Sequence, residues 1–459
     1  MKKVSVLYII IFLSSTHLTL AQEILHLDLP GAVNAGIRNN RELKFKGNEI
    51  LVAGKNLNLK YRDFFPELKL GYSESASVAY YNPDSHIKKI SAGLSQEIYD
   101  RGVKQAGIRF GKKELSIEKM KLIESEEDFT FQIITSFKEI LKLEKEFSIL
   151  EETYNNTSLQ VEIGRKELEL GEITEINYLE MEIALSDMWI ILGKKKLEKE
   201  KMLFSFSRLL TLKPDTLLSV KGEINTQYNG FTENNPDLFI RASREKSTSY
   251  MEIILAREQA GENLKAVKKQ NIPDIKADCS LSMSGEVFPL TEPGLDISVT
   301  FSFSRPGFPG SLSTGISREE YERTRTVTAE AKPFSALENL YAEDTALVAL
   351  ERSAWAVEDY RINIEFTIRE MLHEIEAGKK ELEILREKLK VSERKYLIEE
   401  LQLKLGEIKR IDFIESSIDL SKERITILNS ISDLYQKEIN LMKLCGIREI
   451  IKTGERIIK

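Results

Sequence analysis

Residues 168–186 read LELGEITEINYLEMEIALS, and residues 403–421 read LKLGEIKRIDFIESSIDLS. The two stretches lie 235 positions apart and share ten of nineteen residues. In each, a helix-forming run of Glu, Leu and Ile is broken by one glycine, Gly171 or Gly406. Glycine takes backbone angles that end one helix and let the next start close by. Two copies of one turn imply a chain built from two like halves.

The duplication extends outward from the turns. Residues 53–70, AGKNLNLKYRDFFPELKL, match residues 260–277, AGENLKAVKKQNIPDIKA. Ala53, Gly54, Asn56, Leu57 and Pro66 align with Ala260, Gly261, Asn263, Leu264 and Pro273 at an offset of 207. The offset of 235 at the glycine turns gives the later half 28 extra residues. Some of these are expected in 305–320, RPGFPGSLSTGISREE, which looks irregular. A repeat on this scale argues for internal duplication. The halves are placed at 22–235 and 236–459.

Each half carries a long helical signal. No proline falls between Pro83 and Pro214, or after Pro333. Proline breaks helices, so its absence permits very long ones. Ile133, Phe137, Ile140, Phe147, Leu150 and Tyr154 follow coiled-coil-like spacing, with charged residues between them. The expected helical hairpins run from about 102 to 210, turning at Gly171, and from about 321 to 444, turning at Gly406. A helix over 102–170 spans roughly 100 Å at 1.5 Å per residue.

The texture changes ahead of each hairpin. Leu68, Leu70 and Tyr72 alternate with small or polar residues, as do Ile297, Val299, Phe301 and Phe303. Period-two alternation predicts strands over about 67–100 and 274–304, four per chain. Turns fall at Tyr81-Asn82-Pro83-Asp84 and at Pro289–Gly294. Four strands are too few for a closed membrane barrel, and open edges do not survive in lipid. Two readings stay open. Several chains share one barrel, or a small soluble sheet lies between coiled coils.

Residues 1–21 open with MKK, continue through an apolar run from Val4 to Leu13, and end Thr19-Leu20-Ala21. This predicts a secretory signal cleaved after Ala21. The alternative is an N-terminal anchor, for which the run is short. No cysteine sits near the cut to take a lipid. Cleavage leaves 64 basic against 73 acidic residues, a formal charge of −9, which argues against nucleic-acid binding. Cys279 and Cys445 are too few for a disulfide framework. One bridge is compatible with their number, and two unpaired structural cysteines are the plainer reading. No later run of eighteen apolar residues occurs, so no helical span is expected.

Catalytic signatures are missing. His26, His86 and His373 are dispersed, and neither a G-x-x-x-x-G-K-S/T loop nor a G-x-S-x-G elbow occurs. The expectation is a non-enzyme without cofactor or metal.

The duplicated L-x-x-G turn, Ala53…Pro66 with its repeat, and Tyr99-Asp100-Arg101-Gly102 together resemble the TolC-like outer membrane efflux proteins. The resemblance spans nearly the whole mature chain. It implies a mixed α/β membrane protein and a homotrimer. Four strands per chain would close one twelve-stranded β-barrel in outer membrane lipid. The coiled-coil-like helices would continue as a helical barrel into the periplasm. The function implied is a passive exit duct of a tripartite efflux or type I secretion system. It would work with a periplasmic adaptor protein and an inner-membrane transporter. The competing reading from the residues is a periplasmic coiled-coil scaffold or adaptor without a membrane barrel.

The resemblance also assigns roles. Gly171 and Gly406 would lie at the periplasmic tip, with Leu168 and Leu403 as the apolar contacts flanking turns that meet a partner. Simple helix capping explains the glycines as well. Asp412, Glu415 and Asp419 recur at three- and four-residue spacing, which makes one helical stripe. In a threefold assembly the stripe would ring the periplasmic aperture with carboxylates. The first copy has Asn177, Glu180 and Ala184 there, a less acidic set. An ordinary solvated face is the plainer alternative. Arg165 and Arg410 are candidates for salt bridges that hold the tip.

Overall fold

The computed structural model describes residues 25–78, 85–214, 216–225, 227, 228, 230, 235–305, 307–319 and 322–446. The expected signal, and Tyr80 and Tyr81 at the first strand turn, lie outside the described residues.

The first half runs β1 (Leu25–Leu27), α1 (Leu29–Asn39), α2 (Arg41–Arg62), β2 (Glu67–Ser77), β3 (Ser85–Tyr99), α3 (Val103–Glu169) and α4 (Glu175–Leu209). The second runs β4 (Leu218–Val220), α5 (Pro236–Lys246), α6 (Thr248–Lys268), β5 (Asp274–Gly285), β6 (Glu292–Phe303), β7 (Gly310–Glu319), β8 (Glu322–Ala331), α7 (Ala342–Leu405) and α8 (Arg410–Cys445). The element order repeats, with β7 and β8 added to the second half.

Local chemistry sets the junctions. Pro66 and Pro273 each stand just before a strand, because the residue before proline avoids helical angles. After β3, the Asp100 carboxylate accepts from the backbone N–H of Gly102 at 3.0 Å and of Lys104 at 2.5 Å. This caps α3, whose N-cap Gly102 is left-handed at φ +90°. Arg101 donates through Nε and Nη2 to the two Asp274 oxygens at 2.8 and 2.7 Å. That fork ties the foot of β3 to the foot of β5, one from each half.

The long helices form a layer. Toward the glycine turns, α3 packs between α4 and α8, and α8 packs beside α7. Toward the sheet, α2 and α6 flank α3, and α7 packs on α6. The main core lies midway. Ile133, Phe137 and Ile140 of α3 meet Phe206 and Leu210, and Ile431 and Tyr435 of α8. β1 pairs in parallel with β4 beside it. Lys138 is buried in this core and donates to the Ser432 carbonyl at 3.0 Å. Burial pulls its ammonium pKa down to about 8.

Two expectations need correction. The main sheet has six antiparallel strands per chain, in the order β2-β3-β5-β6-β7-β8, rather than four. The helix expected from about 321 begins at Ala342. The segment 304–331 holds β7, β8 and their connections, and its length accounts for the 28-residue surplus of the second half. Thr324, Thr326, Val327 and Thr328 are β-branched, and pairing with β7 gives them a pleated surface to occupy. No helix among the described residues is long and apolar enough to cross a membrane. Cys279 and Cys445 are both free thiols, and burial pushes Cys445 up to about 12.

Candidate functional site

The two turns are copies in backbone detail. Gly171 and Gly406 both sit at φ +76°. The N–H of Gly171 donates to Leu168 at 3.0 Å, and that of Glu172 to Glu167 at 2.8 Å. The N–H of Gly406 donates to Leu403 at 3.1 Å, and that of Glu407 to Gln402 at 2.9 Å. Each is a left-handed helix stop that satisfies terminal carbonyls. A Cβ added at either glycine would meet nothing within 4 Å. The glycines are therefore required for backbone angle and not for space. Leu168 and Leu403 are half-buried. The exposed apolar residues at the turns are Leu170 and Leu405, at 75% and 73% exposure. The sequence reading passed over them, although the shared L-x-L-G carries both.

Behind the turns is a small core of Val161, Met181 and Ile414, with Ile173 and Ile411 against it. It closes because Gly164 has no side chain. A Cβ there would come within 2.4 Å of the Met181 methyl. Arg410 crosses from α8 to α3. Its Nε donates to Glu167 Oε2 at 3.1 Å, its Nη2 to the other Glu167 oxygen, and its Nη1 to Gln160 at 2.5 Å. Arg410 thus joins the two helical hairpins. Arg165 reaches Glu169 on its own helix at 3.7 Å, largely in solvent, and bridges to no other helix among the described residues. Asn177 and Leu403 line a cleft with Arg410 between the two turns.

Asp412, Glu415 and Asp419 are exposed on one face of α8. Asp419 pairs with Lys422 at 3.0 Å. Asp412 and Glu415 meet no cation among the described residues. Glu180 is exposed on α4, and Asn177 is half-buried.

Apolar seams run along the edge helices. On α4, Ile176, Ile183, Ile190, Leu197 and Phe204 recur every seven residues and are exposed. On α7 the exposed residues are Val348, Trp355 and Ile362, then Ile384, Val391, Ile398 and Leu405, again every seven. On α2, Phe45, Val52 and Leu59 do the same. A seven-residue apolar repeat is the packing seam of a coiled coil, and this chain leaves these seams uncovered.

The sheet register sorts its side chains. One row reads Leu68, Leu94, Cys279, Ile297, Ile316 and Arg325 across the six strands. Another holds Ala277, Val299, Thr314 and Val327. Leu70, Tyr72, Ile90, Leu281, Met283, Leu295, Phe301 and Leu312 share that face. The opposite face reads Gly71, Ser91, Ser282 and Gly294, then Ser95, Asp278, Ser298, Gly315 and Thr326. Ile87 is the large apolar exception there. Exposed Phe64, Phe65, Tyr99, Phe303 and Phe308 gather at the end nearer the helices. A membrane barrel has this section: an apolar outer band, an aromatic girdle and a polar lining.

A helical layer continuous with such a sheet defines the TolC-like channel fold, and solved outer membrane channels share it. Similar solved structures include CusC, with a TM-score of 0.72, 15% identity and 91% of each chain covered. The Campylobacter jejuni CmeC outer membrane channel gives a TM-score of 0.68 and 15% identity, covering 94% of this chain and 89% of that one. The outer membrane protein VceC of Vibrio cholerae gives 0.72 and 11%, covering 91% and 96%. CusC and CmeC are channels. No family model and no curated protein matches the sequence.

Proposed function

We propose that the protein is a passive exit duct in the outer membrane, assembled from three copies and extending into the periplasm. The observation that carries this is the two-faced sheet, whose large apolar side chains lie almost entirely on one surface. Lipid would cover that surface, and the Ser/Thr-rich face would line a water-filled lumen. A periplasmic scaffold has no use for such an apolar surface.

The uncovered heptads support the assembly. The α7 seam runs toward its glycine turn and the α4 seam runs away from one, so α7 of one copy would pack antiparallel to α4 of the next. Nearer the membrane, α2 would take the place of α4. Asp412 and Glu415 would then face the axis near the periplasmic end. Leu170 and Leu405, beside the glycine turns, would meet an adaptor or an inner-membrane transporter, which supplies the energy. The system served would be tripartite efflux or type I secretion.

The test is the mass of the detergent-solubilised species from separated outer membranes. A stable trimer in that fraction is expected. A monomer or dimer released without detergent would overturn the reading in favour of the scaffold.

A further inference from the structure

The hairpin β7–β8 leaves the sheet with β2 and β8 as its edges. We propose that three copies close an eighteen-stranded barrel, with β8 of each copy paired antiparallel to β2 of the next. This rests on the duct reading, and it gives the exit a different width.

Three observations carry it. First, the apolar and polar faces continue through the added hairpin. Leu312, Ile316, Val327 and Ala329 fall on the apolar face, and Ser313, Gly315, Ser317, Thr326 and Thr328 on the other. A hairpin folded away from the wall would not need to hold this alternation in step with β6.

Second, the strand ends step in one direction only. At the end remote from the helices, Ser77 stands opposite Ser85, and Gly285 opposite Lys88, three residues lower. Glu292 stands opposite Ser284, one lower again, and Glu319 opposite Gly294, two lower. Glu322 is level with Glu319. The stagger is thus six residues over the five joins within one chain, and a level sixth join between copies keeps it at six per copy, or eighteen for eighteen strands. A barrel whose shear equals its strand number tilts its strands by about 36°, within the roughly 35–45° of membrane barrels. An even number of strands also makes β8 antiparallel to the next β2.

Third, the two edges match in charge. Making the join level, as the β2–β3 and β7–β8 joins are, sets Ser77 of one copy opposite Glu322 of the next. On the apolar face this brings Tyr72 to Val327, Leu70 to Ala329, Leu68 to Ala331, and Glu74 to Arg325. On the polar face it brings Lys69 to Glu330, and Glu67 to Lys332 just past β8. All three charged pairs are of opposite sign. A slip of two residues either way keeps the faces but sets Lys69 against Lys332, or Glu67 against Glu330. Within one chain Glu74 holds His86 at 3.3 Å, Lys69 holds Glu67 at 3.8 Å and Lys332 holds Glu330 at 3.4 Å. Arg325 has no acidic partner among the described residues, and it stands on the lipid side, where Glu74 of the next copy would neutralise it. Pairing β2 with β6 under the same rule would set Glu74 opposite Leu295.

Eighteen strands at about 4.8 Å spacing and about 36° tilt give a backbone diameter of roughly 34 Å, against roughly 23 Å for twelve. The sheet end would then pass whatever the helical end admits.

The test is site-directed disulfide trapping in the full chain with Cys279→Ser. S73C/T326C joins small residues that the proposed register sets opposite one another on the luminal face. S73C/D296C is the matching pair for closure through β6. After diamide oxidation, S73C/T326C is expected to give covalent dimers and trimers on a denaturing gel. Linking through S73C/D296C instead, or a detergent-stable trimer that links through neither pair, overturns the eighteen-stranded closure and leaves the duct standing. A species that stays monomeric before oxidation overturns the duct itself. As a second readout, Lys69→Glu should lower the temperature at which the trimer dissociates, and adding Glu330→Lys should restore it. Failure of that rescue also counts against the register.

Discussion

Ile297 and Ser298 are neighbours on β6 and face opposite sides of the sheet. Ile297 is 50% exposed and sits between Cys279 and Ile316 on the apolar face. Ser298 sits between Asp278 and Gly315 on the polar face. Arginine at each position separates a lipid-facing from a water-facing wall. On the lipid side of a barrel near the midplane it costs about 2–4 kcal/mol per chain. That is about 30- to 1,000-fold in the folded-to-unfolded ratio. In a three-copy assembly the cost applies three times. On the lumen side the cost is a surface substitution, within about 0.5 kcal/mol. Equilibrium unfolding from lipid vesicles, followed by intrinsic fluorescence, measures both. Ile297→Arg should shift the midpoint strongly and Ser298→Arg hardly at all. Equal costs, or the larger cost at Ser298, would refute the assignment of faces and with it the membrane barrel.

Other outcomes follow from the helical part. Gly171→Ala and Gly406→Ala each force an L side chain to φ +76°, and should cost about 1–2 kcal/mol in thermal unfolding without steric clash. Arg410→Met leaves Glu167 and Gln160 without their donor; the pair is largely buried, so a loss of about 2–3 kcal/mol is expected, mostly recovered in the double variant with Glu167→Gln. Lys138→Met should stabilise at pH 7. The native pKa near 8 lies below the unfolded value of 10.5, so the wild type gains stability as pH rises through that window, and the variant's advantage of up to about 3 kcal/mol should fade between pH 8 and 10 in denaturant titrations. Asp412→Asn with Glu415→Gln should raise conductance in planar bilayers at low salt if the stripe narrows the pore. Unchanged conductance and cation preference would remove that role.

The helices were legible almost to their ends, and the reason is local. A helix of more than sixty residues needs no distant partner to show its period, and Gly171 and Gly406 mark its stop because few other residues accept φ +76°. Four strands were legible for a related reason. Leu68, Leu70 and Tyr72, or Ile297, Val299 and Phe301, announce a face by themselves. The strand β8 reads ERTRTVTAEA, and the face that aligns with those residues carries Arg323 and Arg325 before Val327. Its side chains become outward or inward only when β7 fixes the register, and β7 itself follows a run broken by Pro306 and Pro309. Read alone, the Glu, Arg and Ala in that segment suit the start of a helix as well as a strand. The same limit divides the two arginines at the turns. Arg165 and Arg410 look alike in sequence, yet the carboxylate that holds Arg410 is Glu167, 243 positions away, while Arg165 has its acid four residues on. Asp412 and Glu415 carry the limit one step further. Their stripe is visible in three- and four-residue spacing, but in the proposed trimer it would face another copy of the chain, and no property of one chain's sequence states the distance between copies.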